Sequence, residues 1–131
     1  MTRLNITRWL LPLLFAIVAV SCSCPDKSEK KVLRHVVAFQ FKDEISVERR
    51  KQAVADFLEL KERIPEIIKF EGGEDVSVEG FAKGFTHCYT LTFENEEGRN
   101  IYLPHEAHME VAKKNKPLLK DLFVLDYWGV E

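Results

Sequence analysis

Residues Val32–Phe41 alternate without a break. Leu33, His35, Val37, Phe39 and Phe41 fall on one side, and Arg34, Val36, Ala38 and Gln40 on the other. A period of two predicts a strand, because successive side chains point to opposite faces of the pleat. Lys42–Ile45 turns the chain, and Ser46 can cap a helix by accepting a hydrogen bond from an unpaired backbone N–H. Glu48 then lies in the first turn, where a negative charge suits the helix dipole. Ala53, Val54, Phe57, Leu58, Leu60 and Ile64 recur at helical spacing. Pro65 ends that helix by disfavouring the helical conformation at Ile64. Ile67–Ser77 predicts a second strand, and its Gly72-Gly73 pair predicts a bulge or bend.

Val78–Gly84 is a connection rich in glycine and charge. Gly80 and Gly84 lack the strand, helix and Lys-Ser/Thr context of a phosphate loop, so hairpin chemistry is the better reading. Phe85–Phe93 alternates again, with Phe85, His87, Tyr89, Leu91 and Phe93 on one face and Thr86, Cys88, Thr90 and Thr92 on the other. Asn95 can cap a short helix through Leu103, Pro104 interrupts, and His105–Lys114 resumes as helix. Lys116–Leu122 reads as a turn or short helix, and Leu122–Trp128 as a closing strand. The order strand, helix, strand, strand, helix, strand is that of an α+β, ferredoxin-like βαββαβ domain with an antiparallel sheet and helices on one face. The other face needs cover, most simply from a second copy, with Thr86, Cys88, Thr90 and Thr92 at the sheet-to-sheet contact.

Composition changes this picture at the N-terminus. The chain has 131 residues and a net charge of −2, but residues 1–21 hold 14 hydrophobic residues, two arginines and no acids. Without them, 110 residues carry 17 basic and 21 acidic side chains, a net charge of −4. That remainder is one small domain. Its acidic balance argues against nucleic acid, and its aliphatic and aromatic content against disorder. Arg3 and Arg8 followed by the apolar run Trp9–Val20 form the charged and apolar regions of a bacterial secretory signal, residues 1–21. Ala19-Val20-Ser21-Cys22 has small residues before a cysteine, the pattern of a lipoprotein signal. Cys22 is therefore the expected lipidation site and the cell envelope the expected location. Residues 22–31 form a polar tether to a domain spanning 32–131. Cys24 and Cys88 are expected to be free, Cys88 as a small core hydrophobe.

All four histidines lie in the domain. His35 and His87 sit on the apolar strand faces, His105 and His108 are three apart on a helix, and Tyr102 precedes them by one turn. With the strand faces toward the helices, His35, His87, His105, His108 and Tyr102 converge with Phe39 and Leu91, as polar groups do in a small-molecule pocket. Metal binding is disfavoured, because His105-Glu106-Ala107-His108 is one residue short of the zinc-protease spacing and no carboxylate or cysteine completes a ligand set. Acid–base chemistry is open: an imidazole can remove a proton next to a carbonyl, and a tyrosine hydroxyl can support the oxyanion.

His35-Val36-Val37, Phe41-Lys42-Asp43, Ile64-Pro65, Gly73-Glu74-Asp75-Val76-Ser77, Gly84-Phe85-Thr86-His87, Tyr102-Leu103-Pro104-His105-Glu106-Ala107-His108 and Val124-Leu125-Asp126-Tyr127 follow one another in an order that resembles the stress-responsive A/B barrel (Dabb) domain family. The resemblance covers nearly all of residues 32–131 and implies a dimeric α/β barrel, two ferredoxin-like protomers packed sheet to sheet. The family includes plant stress-induced proteins and a plant polyketide cyclase that needs no cofactor. By that resemblance His108 matches the cyclase's base, Tyr102 its partner, and His35 and His87 its pocket histidines. The family commonly has proline at the position of Glu106. Here the proline is at 104, which is expected to alter the helix start. The leading expectation is a lipid-anchored homodimer that binds a small, partly apolar molecule, with no cofactor and no metal. One alternative is a cofactor-independent enzyme with His108 as base, and a second is a haem- or oxygen-using relative.

Overall fold

The computed structural model describes residues 29–131. The expected signal segment, Cys22 and Cys24 fall outside them. The described chain runs β1 (Lys31–Phe41), α1 (Val47–Leu58), α2 (Leu60–Arg63), β2 (Lys69–Glu74), β3 (His87–Phe93), α3 (Glu96–Tyr102), α4 (Glu106–Asn115), a 3₁₀ turn (Lys116–Leu118) and β4 (Leu119–Val130). The sheet order is β2-β3-β1-β4 with every pairing antiparallel, which is the ferredoxin-like arrangement. Ser46 caps α1 by accepting from the Arg49 N–H, and Asn95 caps α3 by accepting from Gly98 N–H, as their positions predicted.

The alternating face of β1 is the inner one. Leu33, His35, Val37, Phe39 and Phe41 are all buried, and they meet Tyr89, Leu91 and Phe93 of β3. Leu60, Ile64 and Ile67 close this core from the helix side, each fully removed from solvent. Burying such side chains stabilises the fold by roughly 1.5–3 kcal/mol each.

Three local expectations are corrected. Gly72-Gly73 makes no bulge, since the β2–β3 register runs unbroken from Lys69↔Thr92 to Glu74↔His87. Gly72 is needed instead for close approach: its φ is +139°, and an added Cβ would lie 2.2 Å from the Cys88 carbonyl oxygen. The register shift lies between Gln40 and Phe41, where β4 joins β1. Cys88 is exposed and not part of the core, because its side of β3 points away from the helices. The closing strand is also longer than Leu122–Trp128, for the 3₁₀ turn ends at Leu118 and pairing with β1 begins at Leu119.

Among the described residues no helix covers the outer face of the sheet. Phe123, Leu125 and Tyr127 of β4 stand about half exposed on that side, and Leu122, Val124 and Trp128 on the other. Thr92 alone of the outer threonine row is fully buried, under the Arg34 side chain, whose guanidinium donates to Thr92 Oγ1 and to Glu131.

Candidate functional site

A cavity of about 330 Å³ lies between the sheet and helices α1 and α4. Val37, Phe39, Phe57, Val111, Leu119 and Val124 give it apolar walls. Its polar groups are His35, Tyr102, His108, Asn115 and Lys116. An apolar cleft with few convergent polar groups is the usual form of a small-molecule site.

His35 reaches it from β1 and Tyr102 from the last turn of α3. His108 reaches it from the first turn of α4. The Tyr102 ring touches both imidazoles, with centroids 5.7 Å from His35 and 4.3 Å from His108. Each imidazole is oriented through Nδ1. His108 Nδ1 lies 2.8 Å from the Leu103 carbonyl oxygen, which can only accept, so Nδ1 carries the hydrogen and donates. His35 Nδ1 lies 2.6 Å from Asp126 Oδ1, and the other carboxylate oxygen accepts from Arg99 at 2.6 Å. Burial works against ionising Asp126, but the hydrogen bonds from Arg99 and His35 outweigh it and hold the carboxyl below its ordinary range. An ionised Asp126 makes His35 Nδ1 a donor as well. These assignments follow from the partners. In the neutral ring of His108 the unprotonated nitrogen is therefore Nε2.

The electrostatics separate the two imidazoles. Desolvation by burial, with smaller contributions from His35 and His105, lowers the His108 pKa, while its bond to Leu103 opposes the shift. His108 is therefore a neutral base at pH 7. His35 is held in place by the Asp126 carboxylate behind it. Burial pushes the Tyr102 hydroxyl well above the ordinary phenol range, so it stays protonated and able to donate.

The other candidate residues go elsewhere. His87 stacks on Phe39 at 5.3 Å and binds Thr86 Oγ1 through Nδ1, and it opens into a separate depression near Glu74 and Phe85. It reaches the main cavity only through Phe39, which lines it. Leu91 is fully buried in the core and does not line the cavity. His105 is the N-cap of α4, its Nδ1 accepting from Ala107 N–H at 3.1 Å. Proline at 104 thus places the helix start at Glu106, and Tyr102 and His108 remain in ring contact.

Asp126, Arg99 and Asn115 were not singled out from the sequence for the site. Asp126 is the cross-strand partner of His35, so its role depends on the β1–β4 register. Asn115 had a local signal: His108, Val111, Ala112 and Asn115 follow helical spacing on one face. Among the described residues no group of three or more histidine, cysteine or carboxylate side chains gathers as metal ligands.

The fold and cavity define a ferredoxin-like α+β domain with a histidine–tyrosine pocket between sheet and helices. The Stress responsive A/B Barrel Domain family matches residues 33–129, and the chain belongs to that family. It is 34% identical over 98 residues to the stress-response A/B barrel domain-containing protein HS1 of Arabidopsis thaliana, covering 75% of this chain and 90% of that protein. It is 27% identical over 95 residues to olivetolic acid cyclase of Cannabis sativa, covering 72% and 94%. Among solved structures, a hydroxynitrile lyase from Passiflora edulis superposes with a TM-score of 0.72 at 29% identity, covering 76% and 94%. A dimeric ferredoxin-like protein of unknown function from Thermobifida fusca shares the fold at 20% identity, with a TM-score of 0.65 and coverage of 74% and 90%.

Proposed function

We propose that this protein is a cofactor-independent acid–base enzyme that makes or breaks a carbon–carbon bond next to a carbonyl in a small, partly apolar molecule. The observation that carries this reading is the commitment of both Nδ1 atoms, His35 to Asp126 and His108 to Leu103, beside a buried, protonated Tyr102. His108 Nε2 takes the proton from the carbon next to a carbonyl. The C–H electron pair passes into the enolate, whose oxygen receives the Tyr102 hydrogen bond. Attack of that carbanion on a second carbonyl forms the new bond, and the imidazolium returns its proton to the resulting alkoxide. The same steps reversed cleave the bond. The likeness to a cyclase and to a hydroxynitrile lyase supports this class, since one relative bears a bond-forming name and the other a bond-breaking one. A binding role without turnover is the simpler use of the same pocket.

The test is a panel of aryl β-hydroxyketones, followed by aldehyde release. Wild-type protein should cleave at least one. His108→Ala should lower kcat/KM by about a hundredfold or more, with unchanged circular dichroism. No turnover across the panel, or undiminished turnover in His108→Ala, overturns the enzymatic reading.

The working unit in this reading is a homodimer. The uncovered outer face of the sheet supports it, as do the dimeric solved neighbours that share the fold. We propose further that residues 1–21 are an export signal and that Cys22 carries a lipid anchoring the dimer at a bacterial cell envelope, a reading supported by Arg3, Arg8, the apolar run Trp9–Val20 and Ala19-Val20-Ser21-Cys22.

A further inference from the structure

Charge is distributed unevenly around the cavity. His35, Tyr102 and His108 stand at one end, and Lys116 at the other. Lys116 directly follows the last residue of α4, lines the cavity and is exposed. Its stem therefore borders the apolar space while its ammonium reaches water at the mouth. Among the described residues it forms no ion pair, whereas the preceding Lys114 is held by Asp56 at 2.7 Å.

Arg50 adds a second positive charge at this end. The Lys42 N–H donates to the Leu118 carbonyl oxygen, which ties the end of β1 to the 3₁₀ turn that begins at Lys116. The Arg50 guanidinium lies 5.9 Å over the ring of Phe41, a lining residue. It donates to the carbonyl oxygens of Lys42, Asp43 and Ile45, and among the described residues no carboxylate pairs with it. None of the residues lining the cavity is acidic. Asp121, the nearest acid to Lys116 along the chain, is in register with Gln40 on the outer row, and its carboxylate holds the Leu122 N–H at 2.8 Å.

The position of Lys116 also sets a length. It lies eight residues beyond His108, a separation of roughly 12 Å at 1.5 Å per residue. Val111 and Ala112 line the cavity between them and offer only apolar contact. We propose that Lys116, backed by Arg50, makes this pocket a site for amphipathic carboxylates. The preferred ligand is an elongated molecule with its carbonyl at Tyr102 and His108, an apolar body, and a carboxylate at the mouth about 12 Å away. This rests on the pocket being the ligand site, and it adds the charge that the ligand carries.

The probes are 4-(4-acetylphenyl)butanoic acid and its primary amide, which have nearly the same shape and differ in charge. Affinity for the wild-type protein is read by calorimetry. An apolar pocket without a cation favours the amide, because a carboxylate loses far more hydration on entry. The expected result is the opposite order, with the acid about fivefold tighter. Lys116→Gln should abolish that advantage and leave the affinity for the amide unchanged, whereas a merely structural effect would move both. Lys116→Arg, which keeps the charge, should retain it. Equal affinities in wild type, or tighter binding of the amide, overturn the preference for anions while leaving the pocket intact as a ligand site. An advantage that survives in Lys116→Gln, or is lost in Lys116→Arg as well, overturns the role of the Lys116 charge. Binding of neither compound overturns the pocket reading and this proposal with it.

Discussion

His35 and His108 show how one residue type takes two characters in one pocket. His35 is backed by a carboxylate that Arg99 also binds, which fixes the orientation of the ring. His108 is backed by a neutral carbonyl and depressed by burial, which favours its neutral form. The depressed group gives stability a definite pH dependence. In the unfolded chain His108 titrates near 6.5, and in the folded protein below that. Between the two values the unfolded state binds more protons, so stability is full above 6.5 and falls as the pH drops below it. Melting temperature measured against pH should show this slope, and His108→Leu should reduce it, leaving the part that His87 contributes, since burial lowers its pKa as well. An unchanged slope in that variant would assign the effect to another group. The histidines and Tyr102 were legible as candidates because alternation and helical spacing sort side chains by face. Asp126 was not, because its link to His35 spans 91 residues and depends on which strand lies beside β1.

Among the elements, the sequence was most informative where burial is one-sided. β1 and β3 each bury one face, so alternation marks them plainly, and the Ser46 and Asn95 caps mark two helix starts. It was least informative for β4, which is exposed along most of its length and so carries no clean inside–outside code. The glycine pair of β2 shows a second limit. A glycine needed for close approach and one needed for a bulge are the same letter. The two glycines can be separated by substitution. Gly72→Ala forces a side chain into backbone 2.2 Å away at a positive φ, and should cost about 2 kcal/mol or more in urea unfolding. Gly73→Ala meets nothing within 4 Å and should change the midpoint little. Equal effects at both positions would show that the approach to the Cys88 carbonyl is not what fixes Gly72.

At the scale of the whole molecule, the domain is asymmetric in its covering. Helices shield one side of the sheet, while Phe123, Leu125 and Tyr127 leave an apolar surface on the other. Monomeric proteins seldom tolerate such a surface without use for it. Light scattering of the chain from residue 29 should give about twice the monomer mass, and Leu125→Glu should reduce it to one. A wild-type monomer at micromolar concentration would refute the dimer. This uncovered side was foreseen from the element order alone, since a four-stranded sheet with helices on one side must leave the other bare.

Lys30 and Glu131 exchange two backbone hydrogen bonds, of 3.2 and 3.0 Å, so the two ends of the described domain lie side by side. A linker of a few glycines could join them, and a new opening could be made in the exposed Val78–Gly84 connection. Such a circular permutant would keep the same sheet but turn β4 and β1 into a hairpin. His35 and Asp126, among the most distant partners along the natural chain, would become near neighbours in sequence. The contact that orients the imidazole would then form early and locally during folding, where loop closure is least costly.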